Sequence, residues 1–186
     1  MSAVVAYLIV AITIHIVHNV IYNGAYSREI GIIAMVLVLG MTDSVIESII
    51  VVSGLTTMII SRPNYDAMEG SKGGPDEETT TLFILGITGL IIITGTDSLI
   101  ILYLGLELIG LTFYILASRE RKGVKSTEAG VKYFILGALS SGILLLGMSL
   151  AYATTGTTSL ELVTGSAATM IKIGILFKLG ATPFHM

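Results

Sequence analysis

The sequence predicts an all-α integral membrane protein with about seven transmembrane helices. Of its 186 residues, 53% are hydrophobic and only 12% are charged, and the mean hydropathy is +0.89. A soluble domain carries about 25% charged residues because water covers its surface. The apolar residues also fall into stretches close to the roughly 17–25 residues that a helix needs to cross a bilayer. Lipid is therefore expected to cover much of this protein.

The composition excludes several kinds of site. There is no cysteine, so this chain cannot by itself form a disulfide, a cysteine-ligated zinc site or an iron–sulfur cluster. Its three histidines, His15, His18 and His185, show no metal-ligand spacing with nearby carboxylates. The net charge of −3 gives no reason to expect a nucleic-acid partner. No metal site is therefore expected in this chain.

Seven apolar segments follow one another along the chain. A polar loop at residues 62–78, with a Gly-Gly-Pro turn, separates the third segment from the fourth. The sequence is accordingly divided into residues 1–96, with helices one to four, and residues 97–186, with helices five to seven and the last helix cut at the chain end. The segments are residues 3–22, 26–41, 45–60, 79–95, 98–117 and 127–153, and a seventh that begins at Ala167.

Residues 30–60 could form one long helix or two short helices joined at Thr42-Asp43-Ser44. The basic residues favour two helices, because the loop Lys and Arg residues then all lie on one side of the membrane, as the positive-inside rule expects. The amino terminus is then outside and the basic loops are inside. The residues concerned are Arg28, Arg62, Lys72, Arg119, Arg121, Lys122 and Lys125.

Local residue types predict how helices five and six begin. Asp97 and Ser98 can cap the amino terminus of the fifth helix, and Ser126 or Thr127 that of the sixth. Glu128 would then lie in the first turn of helix six, where a negative charge suits the helix dipole.

The sixth segment also carries small residues spaced four apart, which let another helix approach closely. These pairs are Gly137 with Ser141 and Ala138 with Gly142. The many glycines of this chain are therefore interpreted as packing residues, and we expect a neighbouring helix to lie against this part of helix six.

Three ionisable residues lie inside successive apolar segments: Glu107, Lys132 and Lys178. A charge at the bilayer centre costs about 2.5–3.5 kcal/mol even on the insertion scale, so these side chains should face one another or a hydrated cavity. Burial disfavours a charged lysine, whereas a nearby carboxylate favours it. A Glu–Lys pair that closes and opens can therefore load and release a proton.

The end of the sequence predicts a broken helix. Pro183 cannot donate to the carbonyl of Leu179, and Gly180 loosens the same turn. Polar backbone at membrane depth is tolerated only where protein or water surrounds it. His185 follows at once and could extend a proton relay, since histidine exchanges a proton near neutral pH.

Structural explanations compete with these roles. Lys132 could reach the basic face of the membrane through its flexible stem, and Glu107 could simply bond two helices together. His185 could be a helix-end residue, and Lys178 could avoid lipid if its helix breaks. For His15 and His18 we favour packing, and the sequence leaves their roles open.

Three segments resemble subunit 2 of NADH:ubiquinone oxidoreductase, respiratory complex I, and especially its mitochondrial versions. The resemblance covers residues 97–186, whereas residues 1–96 match only in hydropathy. The segments that carry it are residues 104–108, residues 126–138 with 140–142, and residues 177–186.

The resemblance implies roles for single residues. Glu107 matches the carboxylate of the fifth helix, which the family pairs with a lysine of the seventh helix, matched here by Lys178. Lys132 matches an additional lysine of helix six. The fold implied is the first half of an antiporter-like inverted repeat, with the seventh helix broken near Pro183.

The resemblance also implies a setting. The chain would be a membrane subunit of a proton-translocating NADH:ubiquinone reductase in the mitochondrial inner membrane, less readily in a bacterial plasma membrane. Its partners would be other complex I membrane subunits and lipids. Flavin and iron–sulfur clusters are expected in other subunits, so this chain carries no redox chemistry.

One departure from the family matters for function. The family has two inverted halves, and this sequence stops inside helix seven. We expect a second chain to supply the missing helices, with a truncated chain or a non-pumping remnant as alternatives. A subunit of a monovalent cation/proton antiporter and a structural scaffold of the membrane arm are the rival functions.

Overall fold

A computed structural model describes residues 3–22, 27–42, 44–60, 75–119 and 123–181. The regular elements of this part of the chain are helices, and one isolated bridge joins Ser98 and Ser159. It divides into two compact units, Met1–Gly95 and Thr96–Met186. The helices are α1 (Ala3–Tyr22), α2 (Ser27–Leu39), α3 (Val45–Ile60), α4 (Pro75–Thr94), α5 (Leu99–Ala117), α6 (Val124–Thr155) and α7 (Gly165–Lys178), with a short 3₁₀ helix at Leu160–Leu162.

The seven α-helices of the described residues correspond one to one with the seven predicted segments. The choice of two helices across residues 30–60 is confirmed, because α2 ends at Leu39 and α3 begins at Val45. Arg28 donates to the carbonyls of Met58 (3.2 Å) and Ile59 (2.7 Å), so the start of α2 lies beside the end of α3. In one straight helix these residues would be about 45 Å apart.

The turn between α2 and α3 is held by short polar side chains. The hydroxyl of Thr42 donates to the carbonyl of Leu39 (2.9 Å) and contacts the hydroxyl of Ser48 (2.8 Å). The backbone N–H of Glu47 donates to the hydroxyl of Ser44 (3.2 Å), which serves an otherwise unpaired donor of the first turn of α3. These bonds explain why the chain reverses here.

The start of α5 differs from the prediction. Ser98 occupies the N-cap position, but its side chain makes no capping hydrogen bond. The loop after α6 supplies backbone hydrogen bonds instead. The N–H of Leu99 donates to the carbonyl of Thr158, and the N–H of Leu160 donates to the carbonyl of Asp97, both at 2.8 Å. Capping by the side chains of Asp97 and Ser98 is therefore replaced by backbone pairing.

The start of α6 was also predicted too late. The helix begins at Val124 with Gly123 in the N-cap position, so neither Ser126 nor Thr127 caps it. The hydroxyl of Ser126 instead donates to the carbonyl of Ala117 (2.9 Å) at the end of α5. As a result, Glu128 lies beyond the first turn of α6.

The unit Met1–Gly95 packs four helices around an apolar core. His15 is fully buried in this unit, and Glu47 is buried although it lies in the first turn of α3. The largest fully buried apolar side chains of this unit are Met35, Met58, Ile84, Ile91, Val38 and Val51.

In the unit Thr96–Met186, α6 packs against both α5 and α7. α7 turns Ala167, Ile171 and Gly174 toward α6. A Cβ atom at Gly174 would lie 2.9 Å from the Cβ of Leu144, so these two helices approach closely. The core of this unit consists of Leu99, Leu144, Met148, Ala151, Ala167 and Ile171.

Within the described residues, two helices are both long and apolar enough to cross a membrane, namely α5 and α6. Shorter apolar stretches lie at Ile9–His18, Val45–Ile60 and Glu78–Thr94. Many large apolar side chains of α6 point away from the protein, among them Ile135, Leu139 and Leu146. An apolar exposed surface of this kind suits contact with lipid.

Candidate functional site

The site is an ion pair between α5 and α7. The Nζ of Lys178 lies 2.7 Å from the Oε1 of Glu107, and the two side chains are only 12% and 24% exposed. Glu107 lies in the middle of α5, and Lys178 is the last residue of α7. The structure thus brings together two of the four residues that the sequence singled out, 71 positions apart.

Ser141 of α6 completes the site. Its hydroxyl donates to the same oxygen of Glu107 that accepts from Lys178. The carboxylate therefore receives donors from both neighbouring helices. From the sequence, Ser141 was expected only to be a small packing residue. Its place four residues after Gly137 was the one signal that it faces a neighbouring helix.

Tyr114 explains how α5 and α6 come close enough for this contact. Its side chain is buried, and a Cβ atom at Gly137 would overlap its hydroxyl group. Its ring also makes T-shaped contacts with the rings of Tyr133 and Phe134, at centroid distances of 4.7 and 5.9 Å. The predicted close approach at Gly137 and Ser141 is confirmed.

The second predicted pair of small residues, Ala138 with Gly142, does not lie against a neighbouring helix in the part of the chain that the structure describes. Ala138 and Gly142 are exposed, and a Cβ atom at Gly142 would meet nothing within 4 Å. Among the described residues, no other helix packs against Ala138 and Gly142. At a rotation of about 100° per residue, they point away from the face of α6 that carries Gly137.

Lys178 is the last residue of α7, next to a glycine turn that ends the helix. The helix ends at Lys178, and Gly180 adopts a left-handed conformation with φ +64°. The N–H groups of Gly180 and Ala181 donate to the carbonyls of Phe177 and Leu176, both at 3.0 Å. This arrangement is a glycine-ended helix terminus, and its partial negative charge favours a cation at Lys178.

The helix was predicted to break near Pro183, and α7 in fact ends earlier, at the Leu179–Gly180 turn. Gly180 ends the helix ahead of Pro183, because glycine adopts a positive φ without steric cost. Pro183 and His185 lie outside the described residues, so the predicted role of His185 stays a prediction.

Lys132 does not join the pair. Its Nζ bonds instead to Glu128 one turn earlier on α6, and the two side chains are 59% and 57% exposed. The three residues were expected to face one another or a hydrated cavity, and the structure brings Glu107 and Lys178 together. A place for Lys132 on a proton path stays a prediction.

Lys172 was missed by the sequence analysis. It lies within α7, six positions before Lys178, and its side chain is exposed. Among the described residues it forms no ion pair. The signal was present in the sequence, because Lys172 is a second charge inside the seventh apolar segment.

Chemically, the arrangement can hold and transfer a proton. A lysine and a carboxylate in contact form a neutral pair with one transferable proton, and the hydroxyl of Ser141 adds a donor that does not titrate near neutral pH. In the ranges that the structure describes, no group of three or more His, Asp or Glu side chains could hold a metal ion.

Residues 96–186, slightly less than half of the chain, match the family described as NADH:quinone oxidoreductase/Mrp antiporter, TM. Among curated relatives, the chain is similar to NADH-quinone oxidoreductase subunit N of Erythrobacter litoralis, at 41% identity over 149 residues that cover 74% of this chain and 30% of the relative. Subunit N of Jannaschia sp. is 45% identical over 121 residues, which cover 59% of this chain and 25% of the relative.

Solved structures show the same fold. The chain matches a chain of respiratory complex I from Thermus thermophilus with a TM-score of 0.80 and 22% identity, over 98% of this chain and 45% of that one. It also matches a chain of an archaeal membrane-bound sulfane sulfur reductase with a TM-score of 0.73 and 18% identity, over 97% of this chain and 45% of that one.

These comparisons support the resemblance to antiporter-like complex I subunits and broaden it. The relatives named here are bacterial, so the specifically mitochondrial likeness is not part of the finding. Similarity over 74% of the chain also reaches into residues 1–96, where the sequence analysis saw a match in hydropathy alone. The chain spans 25–30% of the length of these relatives.

Proposed function

We propose, from the match of residues 96–186 to the NADH:quinone oxidoreductase/Mrp antiporter family, that this chain is a membrane-arm subunit of a proton-translocating NADH:quinone oxidoreductase. It contributes half of a proton pathway. The observation that carries the proposal is the ion pair of Glu107 and Lys178, which joins two apolar helices at 2.7 Å. Ion pairs inside membrane segments typically mark ion and proton paths.

The pair works by closing and opening. When it is closed, the carboxylate of Glu107 favours the protonated form of Lys178, so the lysine keeps its proton. When the pair opens, the buried ammonium loses this support and releases its proton to the next acceptor on the path. A proton from the other side reloads the amine before the pair closes again. Lys132 and His185 are proposed as further members of this path.

The proposal assigns no redox group to the chain. Flavin and iron–sulfur clusters belong to other subunits, and the energy of electron transfer reaches this chain through its contacts with neighbouring membrane subunits. We place the complex in the mitochondrial inner membrane, with the bacterial plasma membrane as the alternative.

Neutralising Glu107 tests the function. In membrane vesicles that contain the complete complex, we expect Glu107→Gln to lower NADH-driven proton translocation at least tenfold, since a lysine without its counter-charge no longer cycles. Glu128→Gln is the matched control, because Glu128 is an exposed carboxylate on the neighbouring helix. The measurement is the quenching of a pH-sensitive dye after NADH is added.

The rival functions predict other outcomes. A structural scaffold predicts that Glu107→Gln pumps like Glu128→Gln while the complex stays assembled. The family description also includes Mrp antiporters, so a monovalent cation/proton antiporter is the second candidate. It predicts sodium-dependent proton exchange without NADH. Mass spectrometry of the proteins that purify with this chain in mild detergent separates the antiporter from the proposed function, since of these two only the proposed function requires complex I subunits.

A further inference from the structure

We infer that Ser141 is a positioning residue for Glu107: its hydroxyl holds the carboxylate in place and supports its negative charge whenever Lys178 moves away. The inference rests on the proposed function, since it concerns the same ion pair. It adds a third helix to the site and assigns different tasks to the two donors that meet at one carboxylate oxygen.

The geometry shows that both donors share one acceptor. The Oε1 of Glu107 accepts from the Nζ of Lys178 at 2.7 Å and from the Oγ of Ser141. Ser141 is 6% exposed, so little water can replace its hydroxyl. Bonds from a hydroxyl to a carboxylate are charge-assisted and stronger than bonds between neutral groups.

The two donors differ in how firmly they are held. Ser141 lies in the interior of α6, a helix of 32 residues. On one side, Gly137 of this helix lies against the hydroxyl of Tyr114. On the other side, a Cβ atom at Gly147 would lie 2.8 Å from the backbone nitrogen of Ile171 in α7. A shift of Ser141 along or around α6 would disturb both contacts.

Lys178, by contrast, stands at the end of its helix. The residues that follow it are a turn with Gly180 at φ +64°, and the ammonium group is carried on a flexible four-carbon stem. Lys178 can therefore leave the carboxylate by a change in its own side chain, whereas Ser141 stays. Ser141 is the donor that remains when the pair is open.

This difference matters because an open pair leaves a carboxylate without its counter-charge in a medium of low dielectric constant. Such a group is costly unless hydrogen bonds satisfy it. With Ser141 in place, one oxygen of Glu107 keeps a donor, so opening the pair takes less free energy. Without the hydroxyl, the closed pair persists and each proton is released more slowly.

Ser140 provides a matched control on the preceding position of α6. It is fully buried, and its hydroxyl donates to the carbonyl of Gly137 in its own helix at 2.7 Å. Ser140→Ala therefore removes a buried hydroxyl of equal size without touching Glu107. Any effect of losing a hydroxyl on the packing of α6 should appear in both variants.

The experiment measures NADH-driven proton translocation by the complete complex in membrane vesicles, with complex content measured for each variant. We expect Ser141→Ala to lower the rate about tenfold, as for the loss of one hydrogen bond to a charged group. We expect Ser141→Thr, which keeps the hydroxyl, to restore most of the rate, and Ser140→Ala to stay near the wild-type rate. We expect Ser141→Ala to add nothing when Glu107→Gln is already present, because its partner charge is gone.

Two outcomes would overturn the inference. One is a rate for Ser141→Ala equal to that of Ser140→Ala, and the other is a full additional loss in the Glu107→Gln background. Both require that Glu107→Gln itself lowers the rate. If Glu107→Gln pumps like the wild type, the proposed function is wrong and the inference falls with it, so the failures of the two are distinguishable.

Discussion

Two glutamate–lysine pairs lie among the described residues of the unit Thr96–Met186, and they differ in exposure and in their separation along the chain. Glu107 and Lys178 join two helices, 71 positions apart in the chain, with side chains 24% and 12% exposed. Glu128 and Lys132 lie one turn apart on α6, with side chains 57% and 59% exposed. The residue types are the same, so the setting alone decides what each pair can do.

The setting acts through solvation. An exposed pair four residues apart on a helix contributes little, because its partners interact well with solvent when they separate. A pair buried between helices cannot lose one partner without leaving an uncompensated charge. Of these two pairs, the one between α5 and α7 is therefore the one whose separation costs more free energy.

The largest effect is expected when one half of the buried pair is removed. Lys178→Met leaves the Glu107 carboxylate without its counter-charge, and we expect a destabilisation of about 3 kcal/mol, the lower end of the range for buried pairs because Glu107 is partly exposed. The double variant Glu107→Gln with Lys178→Met should recover most of this stability without recovering proton translocation. Thermal unfolding of the purified complex measures the first, and the vesicle assay the second.

This prediction separates stability from function. A double variant as unstable as Lys178→Met alone would show that the loss comes from packing around Lys178. A double variant that pumps normally would show that the pair is a structural contact.

A smaller effect is expected when the contact between α5 and α6, which brings Ser141 to Glu107, is disrupted. Gly137→Leu places a side chain where the hydroxyl of Tyr114 lies, so α5 and α6 must separate. We expect a destabilisation of about 1–3 kcal/mol, as for overpacked cores, together with reduced proton translocation. Thermal unfolding of the complex checks the first effect.

Gly142→Leu is the control for this change. A Cβ atom at Gly142 would meet nothing within 4 Å, so the same substitution on the other face of α6 should leave stability and proton translocation nearly unchanged. Equal destabilisation by both variants would contradict the role of Gly137, since the cause would then lie in the loss of glycine from α6 itself.

The smallest effect is expected at the exposed pair. Glu128→Gln should leave proton translocation within about twofold of the wild-type rate, because an exposed ion pair contributes little. Lys132→Met should lower it by more than that, since Lys132 is proposed as a member of the proton path and Glu128 is not. Equal rates for both variants in the vesicle assay would remove Lys132 from the proposed path.

Much of the helical framework could be predicted from the sequence. Hydropathy located seven segments, and the charge rule for loops divided residues 30–60 into two helices, which the contact of Arg28 with the end of α3 confirms. Both signals depend only on where each residue lies along the chain, so they can be read without knowing how the helices pack. The cost of a charge in lipid likewise identified Glu107 and Lys178 as residues in need of partners.

The predictions that were wrong concern the starts of α5 and α6, where nearby groups compete to pair with the same backbone donors. Ser98 was expected to cap α5 with its side chain, but the loop at Thr158 supplied a backbone carbonyl in its place. α6 began three residues earlier than predicted, which moved Glu128 out of the first turn. A cap prediction considers one segment alone, whereas a neighbouring segment can satisfy the same donors.

By itself, the sequence determined the class of protein, the number of helices and the depth of each charge along its helix, since these follow from composition and from a rise of about 1.5 Å per residue. Only the tertiary structure decided which charges meet. That depends on how each helix is rotated about its axis, and small residues such as Gly137 fix the rotation by admitting Tyr114. This rotation joined Lys178 and Ser141 to Glu107 and left Lys132 outside the pair, because side chains on different helices meet only where packing brings their faces together.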